Sequence, residues 1–309
     1  MDVTASRRIC LLILALLISS MSTQGSAAEI LALVNNEKIT DSDLELEIRS
    51  RSQDPASLSE SAKAKVLEDL IERELINQHL KSLNIPSDRI QIEKQVQLIK
   101  QKIAMTQEDP DKTLEDLGFN DVQLRIRLRY ASMWQNYFDQ LITEKEIEQY
   151  FDNNKEKFDG TEVRASQIFI KLPTNPTAEQ IADAKQKLSS YKAEIEAGKT
   201  TFADAAKKWS ESPTGKKGGD LGFAQYRGTR TELFSEKLFP LETGELTEPF
   251  QTKFGMHLMI VTDRRPGNFS FVDVRPIVLD RLRIRLWTSL VAEKRKSAKI
   301  QYTKSAPGR

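Results

Sequence analysis

Residues 216–228, KKGGDLGFAQYRG, decide how this chain is read: they hold four of its thirteen glycines, and Gly215 stands immediately before them. A glycine cluster of this kind serves as a phosphate cradle, a catalytic turn or a tight structural loop. A phosphate cradle needs its glycines directly after a strand and directly before a helix, so that free backbone N–H groups point at the anion. Here TFADAAKKWS (201–210) reads as a short amphipathic helix before the loop, a strand follows it, and no G-K-S/T is present. The phosphate reading fails on context. No G-x-S-x-G occurs either, and His257, the one histidine of this region, has no evident carboxylate partner in sequence.

Outward from the loop, EVRASQIFIKL (162–172) is predicted as a strand and PTNPT (173–177) as a break. An amphipathic helix is expected over 178–196, closed by Gly198 as a C′ glycine. Downstream come a short strand, a helix near 232–238, LTEPFQT (246–252), and GMHLMIVTDRR (255–265), an apolar strand running to Val261. The order β-α-α-loop-β-α-β-β defines a compact α+β domain.

The flanks are helical. Residues 30–39 alternate weakly around Asn35–Asn36, a hairpin turn. Thr40 and Asp43 read as a capping box opening a first helix. Ser59 or Ser61 opens a second, with Val66, Leu67, Leu70, Ile71, Leu75, Ile76 and Leu80 on one face. Pro86 is expected to end it and Ser87 to cap a third, whose stripe is Ile92, Val96, Ile99 and Ile103. A long helix is predicted over 120–141 behind Asn120 and Gln123, and a short one after Thr143 and Glu146. Beyond Pro266–Gly267 the helical pattern returns, with Ile277, Leu282, Leu286, Leu290 and Val291 on one stripe. Its basic residues suit either a membrane-surface helix or, as the better fit, a helix packed on the N-terminal region. KIQYTKS (299–305) is expected to add a strand beside residues 30–39.

At the start, Arg7 and Arg8 precede ICLLILALLI (9–18), and small residues end the stretch at Ser26 and Ala28. That is the build of a secretory signal peptide over 1–28, cleaved before Glu29. Its ten apolar residues fall short of the roughly 20 needed to span a bilayer, so no stable anchor is expected after cleavage. The single cysteine, Cys10, lies inside this leader, which leaves an exported chain with no disulfide. With only His79 and His257 besides, a transition-metal site is not expected, and no cofactor is implied. Forty-six basic against forty-five acidic residues give no electrostatic reason to expect nucleic acid.

Taken together, EVRASQIFIKL, AGKTTFADAAKKWSESPTGKKGGDLGF and FSEKLFPLETGELTEPFQTKFGMHLMIV resemble the parvulin-type peptidyl-prolyl cis-trans isomerases over roughly residues 160–265. The resemblance implies an FKBP-like α+β domain at 159–266, inserted between a helical region at 29–158 and a C-terminal helix and strand at 267–309. That order, with LVNNEKITDSDLE (33–45), is similar to exported foldases and periplasmic chaperones of the SurA and PrsA kind. It implies a periplasmic protein whose partners are unfolded exported polypeptides and their X-Pro segments. The resemblance also implies the site. Leu221 and Phe234 match the apolar proline-binding positions, and Phe254 lines the same site. Thr252 and His257 match the polar network, and a methionine is common where Arg230 stands. The family's second histidine is replaced by Gln167 and its usual cysteine or aspartate by Ser212, so its paired-histidine arrangement is broken. A degenerate domain that only binds peptide therefore stands beside the isomerase reading.

Overall fold

A computed structural model describes residues 28–51, 54–106, 108–117, 119–228 and 231–309. The leader expected over 1–28 lies, but for Ala28, outside the described residues, as does Arg230. The chain divides into two compact units, the described residues up to Glu144 with Leu279–Arg309, and Lys145–Val278.

In the first unit, β1 (Ile30–Val34) and β2 (Glu37–Thr40) form a hairpin. Asn35 and Asn36 turn it at φ 51° and 74°, the left-handed pair that a two-residue hairpin demands. The terminal strand β7 (Ile300–Tyr302) joins the free edge of β1, giving the order β2-β1-β7. Helices α1 (Asp41–Ser50), α2 (Glu60–Ser82), α3 (Arg89–Ala104), α4 (Pro110–Asp116) and α5 (Asp121–Leu141) follow. The Thr40–Asp43 and Asn120–Gln123 capping boxes form as expected.

Three expectations need correction. Helix α3 is capped by Asp88, whose side chain accepts the Gln91 N–H, and not by Ser87; the Ser132 hydroxyl accepts the Asp88 N–H and fixes that register. The preceding helix stops at Ser82, well before Pro86, with Asn84 at φ 53°. In the last helix, α10 (Phe271–Ser297), Ile277 is exposed, and Val274 and Val278 take its expected place on the buried stripe with Leu282, Leu290 and Val291.

A buried carboxylate cross-links this unit. Glu47 of α1 meets Arg51 at 2.9 Å, and Arg73 of α2 and Arg127 of α5 at 2.6 Å each. Burial alone would raise its pKa, but Arg73 and Arg127 outweigh burial and hold it below the ordinary carboxylate value.

The second unit is built on a four-stranded antiparallel sheet, order β4-β3-β6-β5. Its strands are β3 (Glu162–Lys171), β4 (Asp220–Gln225), β5 (Phe250–Thr252) and β6 (Gly255–Arg265), the last longer than expected because Val163, Arg164 and Glu162 continue its pairing. Side chains alternate between the faces of a strand. Ile168, Met256 and Leu258 therefore pack on α7 (Ala178–Glu196) and α8 (Phe202–Trp209). Val163, Ala165, Met259 and Val261 point the other way, toward Leu238 of α9 (Glu232–Leu238), Phe239 and Phe250. Chain entry and exit meet in a clasp: Thr161 accepts the Gly267 N–H through Oγ1, and a Cβ on Gly267 would stand 2.1 Å from the Asp159 carbonyl oxygen. Helix α6 (Glu144–Asp152) and the start of α10 join this unit through Phe151, whose ring lies 5.7 Å from that of Phe271.

Candidate functional site

Register and pleat together put the site on one face of the sheet. Phe169 pairs with His257 and Gln167 with Met259, so Gln167 and His257 are diagonal neighbours on the face opposite α7 and α8. His257 Nδ1 lies 3.1 Å from Gln167 Oε1, and its Nε2 lies 2.9 Å from Thr252 Oγ1. The far end of the amide, Gln167 Nε2, donates to Ser212 Oγ at 3.2 Å. Four of the residues singled out in sequence are thus joined by three hydrogen bonds.

Three rings enclose the imidazole: Phe169 at 4.8 Å, Phe234 edge-on at 5.0 Å and Phe250 stacked at 5.5 Å between centroids. His257 is 4% exposed, and burial pushes its pKa down to about 4. Desolvation disfavours the imidazolium, and no charged side chain offsets it, so the ring is neutral at neutral pH. The site is a neutral amide, imidazole and hydroxyl assembly in an aromatic box.

The glycine loop mounts this assembly. Gly219 has φ +81°, and a Cβ there would lie 2.3 Å from the Gln167 carbonyl oxygen. Its own carbonyl accepts the Gln167 N–H at 2.9 Å, so the loop rides directly on the residue that bridges His257 and Ser212. Only glycine fits at that approach. Asp220 braces the turn, accepting the Gly222 N–H at 3.0 Å and pairing with Arg164 at 2.8 Å. Leu221 and Phe234 stand half-buried on the core of the same face. Phe254 is 58% exposed, and its N–H donates to Thr252 Oγ1 at 3.2 Å. The structure thus brings Gln167, Ser212, Thr252 and His257 together, gathers Leu221 and Phe234 in one apolar cluster, and leaves the Phe254 ring in solvent.

Sequence reading missed Thr214, Phe169 and Phe250. Thr214 Oγ1 lies 2.9 Å from Ser212 Oγ, and its N–H donates to that same oxygen at 3.3 Å. The signal was present, since S-P-T is the beginning of a hydroxyl-capped turn, with Ser212 as the cap of the 3-10 turn Pro213–Lys217. Phe169 and Phe250 alternate with core residues and carry no mark of their own until the register is known.

The second unit thus combines an antiparallel sheet backed by α7 and α8, a glycine loop locked on its central strand and a network around His257 beside an apolar cluster. Residues 168–263 match the family described as the PPIC-type PPIase (rotamase) domain. Among curated proteins, the foldase protein PrsA of Halalkalibacterium halodurans is 29% identical over 212 residues, covering 65% of this chain and 57% of that protein. The chaperone SurA of Chromohalobacter salexigens is 26% identical over 249 residues, covering 76% and 56%. A putative peptidyl-prolyl cis-trans isomerase SurA of Haemophilus influenzae is 38% identical over 116 residues, covering 37% and 36%. The chain spans little more than half the length of the first two relatives. Among solved structures, the peptidylprolyl isomerase PrsA of Bacillus cereus aligns over 91% of this chain and 96% of its own, at 19% identity and a TM-score of 0.45. The chain carries a parvulin-type PPIase domain, and its relatives bear the names of PrsA foldases and SurA chaperones.

Proposed function

We propose that the protein is an exported foldase. Its helical unit holds unfolded polypeptide, and its parvulin-type domain accelerates cis-trans exchange at X-Pro bonds. The observation that carries the isomerase reading is the Thr252–His257–Gln167–Ser212 network mounted beside Leu221 and Phe234. Rotation about an X-Pro bond crosses a barrier of ~20 kcal/mol and breaks no covalent bond. It needs neither nucleophile nor ion; it needs an apolar seat for the proline ring and neutral donors that favour the twisted amide over the planar one. A site whose only titratable member is a neutral imidazole suits that reaction.

The holding reading is supported by the helical unit. Ile90 and Leu98 of α3, Met105 at its C-cap, and Val122 and Ile126 of α5 are exposed. A depression of about 720 Å³ along α3 is lined by Ile90, Leu98 and Gln97 between Arg89, Lys94 and Glu93. Exposed apolar surface rimmed by charge is the usual mark of an interaction face. Among the described residues no helix is long and apolar enough to cross a membrane. With the leader read in the sequence, a periplasmic location is proposed.

Gln167 and Ser212 favour a second reading, a domain that binds X-Pro segments without turnover. NMR exchange spectroscopy on an X-Pro peptide separates the two. Acceleration of cis-trans exchange by catalytic amounts of the whole protein supports the isomerase. Line broadening by binding, with an exchange rate equal to that in buffer, supports the binder.

A further inference from the structure

Five side chains form one continuous hydrogen-bonded line: Thr252, His257, Gln167, Ser212 and Thr214. A neutral imidazole offers one donor and one acceptor, a primary amide offers one of each along such a line, and each hydroxyl can turn. The line therefore has two possible directions, and they differ at the ends.

In one direction the Phe254 N–H donates to Thr252 Oγ1 at 3.2 Å, and Thr252 donates to His257 Nε2 at 2.9 Å. Nδ1–H then donates to Gln167 Oε1 at 3.1 Å, Gln167 Nε2–H to Ser212 Oγ at 3.2 Å, and Ser212 to Thr214 Oγ1 at 2.9 Å. Each of the four links then has its acceptor within ordinary hydrogen-bond distance. Two protons are left over: the second amide proton of Gln167 in mid-line, and the Thr214 hydroxyl proton at the end of the line. In the other direction the amide is turned over, and the proton left at the end of the line belongs to Thr252, which meets the Gly255 carbonyl oxygen at 3.5 Å. The first direction is the one the amide itself takes, with Oε1 toward the ring and Nε2 toward Ser212, and it does not depend on the 3.5 Å contact.

Ser212 is consequently spent. Its oxygen accepts from Gln167 and from the Thr214 N–H, and its proton goes to Thr214. Thr214 is half-buried in the loop that carries Leu221, and its carbonyl accepts the Gly219 N–H at 2.9 Å, which folds the loop back on itself. Hydrogen bonds in series polarise one another, so the last donor of the line is strengthened.

We propose that the Thr214 hydroxyl, set by Gln167 acting as a positioning residue, is the donor that takes a carbonyl oxygen of the bound X-Pro segment. This rests on the peptide-binding reading of the same site.

The test has two arms on the whole protein. In the first, long-range proton–nitrogen NMR of the His257 ring near neutral pH should find the Nδ1–H tautomer. Finding the Nε2–H tautomer overturns the direction and with it the proposal. This arm needs no variant and no activity. In the second, Thr214→Val and Thr214→Ser are compared in X-Pro peptide exchange. Thr214→Val should lower catalysed exchange about tenfold, the worth of one strengthened hydrogen bond, while Thr214→Ser stays within about twofold of the parent. A catalysing parent with an equally active Thr214→Val overturns the proposal and leaves the isomerase reading standing. A parent that does not catalyse removes the isomerase reading, and peptide titration then decides about Thr214. Binding weakened about tenfold in Thr214→Val and restored in Thr214→Ser supports it; unchanged affinity overturns it.

Discussion

Replacing Gly219 by alanine tests whether the glycine loop is a mount for the site or a generic turn. The added Cβ would stand 2.3 Å from the Gln167 carbonyl oxygen and 3.0 Å from its nitrogen, in a residue at φ +81°. A non-glycine residue in the left-handed region costs ~1 kcal/mol. Relieving an overlap of this depth needs a shift of about 1 Å, an overpacking cost of roughly 1–3 kcal/mol. Such a shift also stretches the Gln167 N–H to Gly219 bond, 2.9 Å long, at a cost of about 1 kcal/mol. Together the loss is about 3–5 kcal/mol. Gly222 is the internal control: it sits at φ +72° with nothing within 4 Å of its Cβ position, so Gly222→Ala loses only the conformational part, ~1 kcal/mol. Native-state hydrogen exchange at central-strand amides such as Ile168 and Leu258 reads the unfolding free energy of this unit alone. Equal losses in the two variants would refute the argument, because strain at positive φ would then explain both.

Three further outcomes follow from named contacts. His257 titrates at about 4 when folded, below the ordinary histidine value of about 6.5, so between those values the unfolded chain binds more protons and stability falls on acidification. The loss reaches about 2–3 kcal/mol by pH 4 and is absent above about pH 7; urea titrations at stepped pH should show this slope, and His257→Gln should lack it. Glu47→Gln strands Arg73 and Arg127 without their shared carboxylate and should lower stability by about 3 kcal/mol in thermal melts of the helical unit, while X-Pro exchange is unchanged; a loss under about 0.5 kcal/mol contradicts the buried-ion account. Ile90→Ser with Leu98→Ser should reduce suppression of client aggregation at least several-fold by light scattering and leave X-Pro exchange intact, since both side chains are already exposed and their loss costs little folding energy.

Local signals were legible in the sequence and long-range ones were not. The Thr40–Asp43 and Asn120–Gln123 boxes are complete within four residues, so they could be read without a fold. Ser87 and Asp88 offer the same capping chemistry, and the choice between them is made by Ser132, forty-four residues away. Periodicity puts Ile277 on the α10 stripe and the structure leaves it exposed, because helical spacing gives an apolar face but not which edge of it is buried. Buried Glu47 was invisible for the same reason, since its burial depends on arginines from two other helices. In the site, Gln167, Ser212, Thr252 and His257 were reached through resemblance, and the pleat explains why they converge. Thr214 was passed over because its role appears only when donors and acceptors are counted along the whole line.

The central claim is that a neutral network with glutamine in place of an imidazole still assists rotation about an X-Pro bond. The most direct test is cis-trans exchange of an X-Pro peptide by NMR with the whole protein, comparing the parent with His257→Ala. The account predicts acceleration over buffer by the parent and its loss by at least about tenfold in the variant, as for removal of a donor network at a catalytic site. An exchange rate with the parent equal to that in buffer would contradict it.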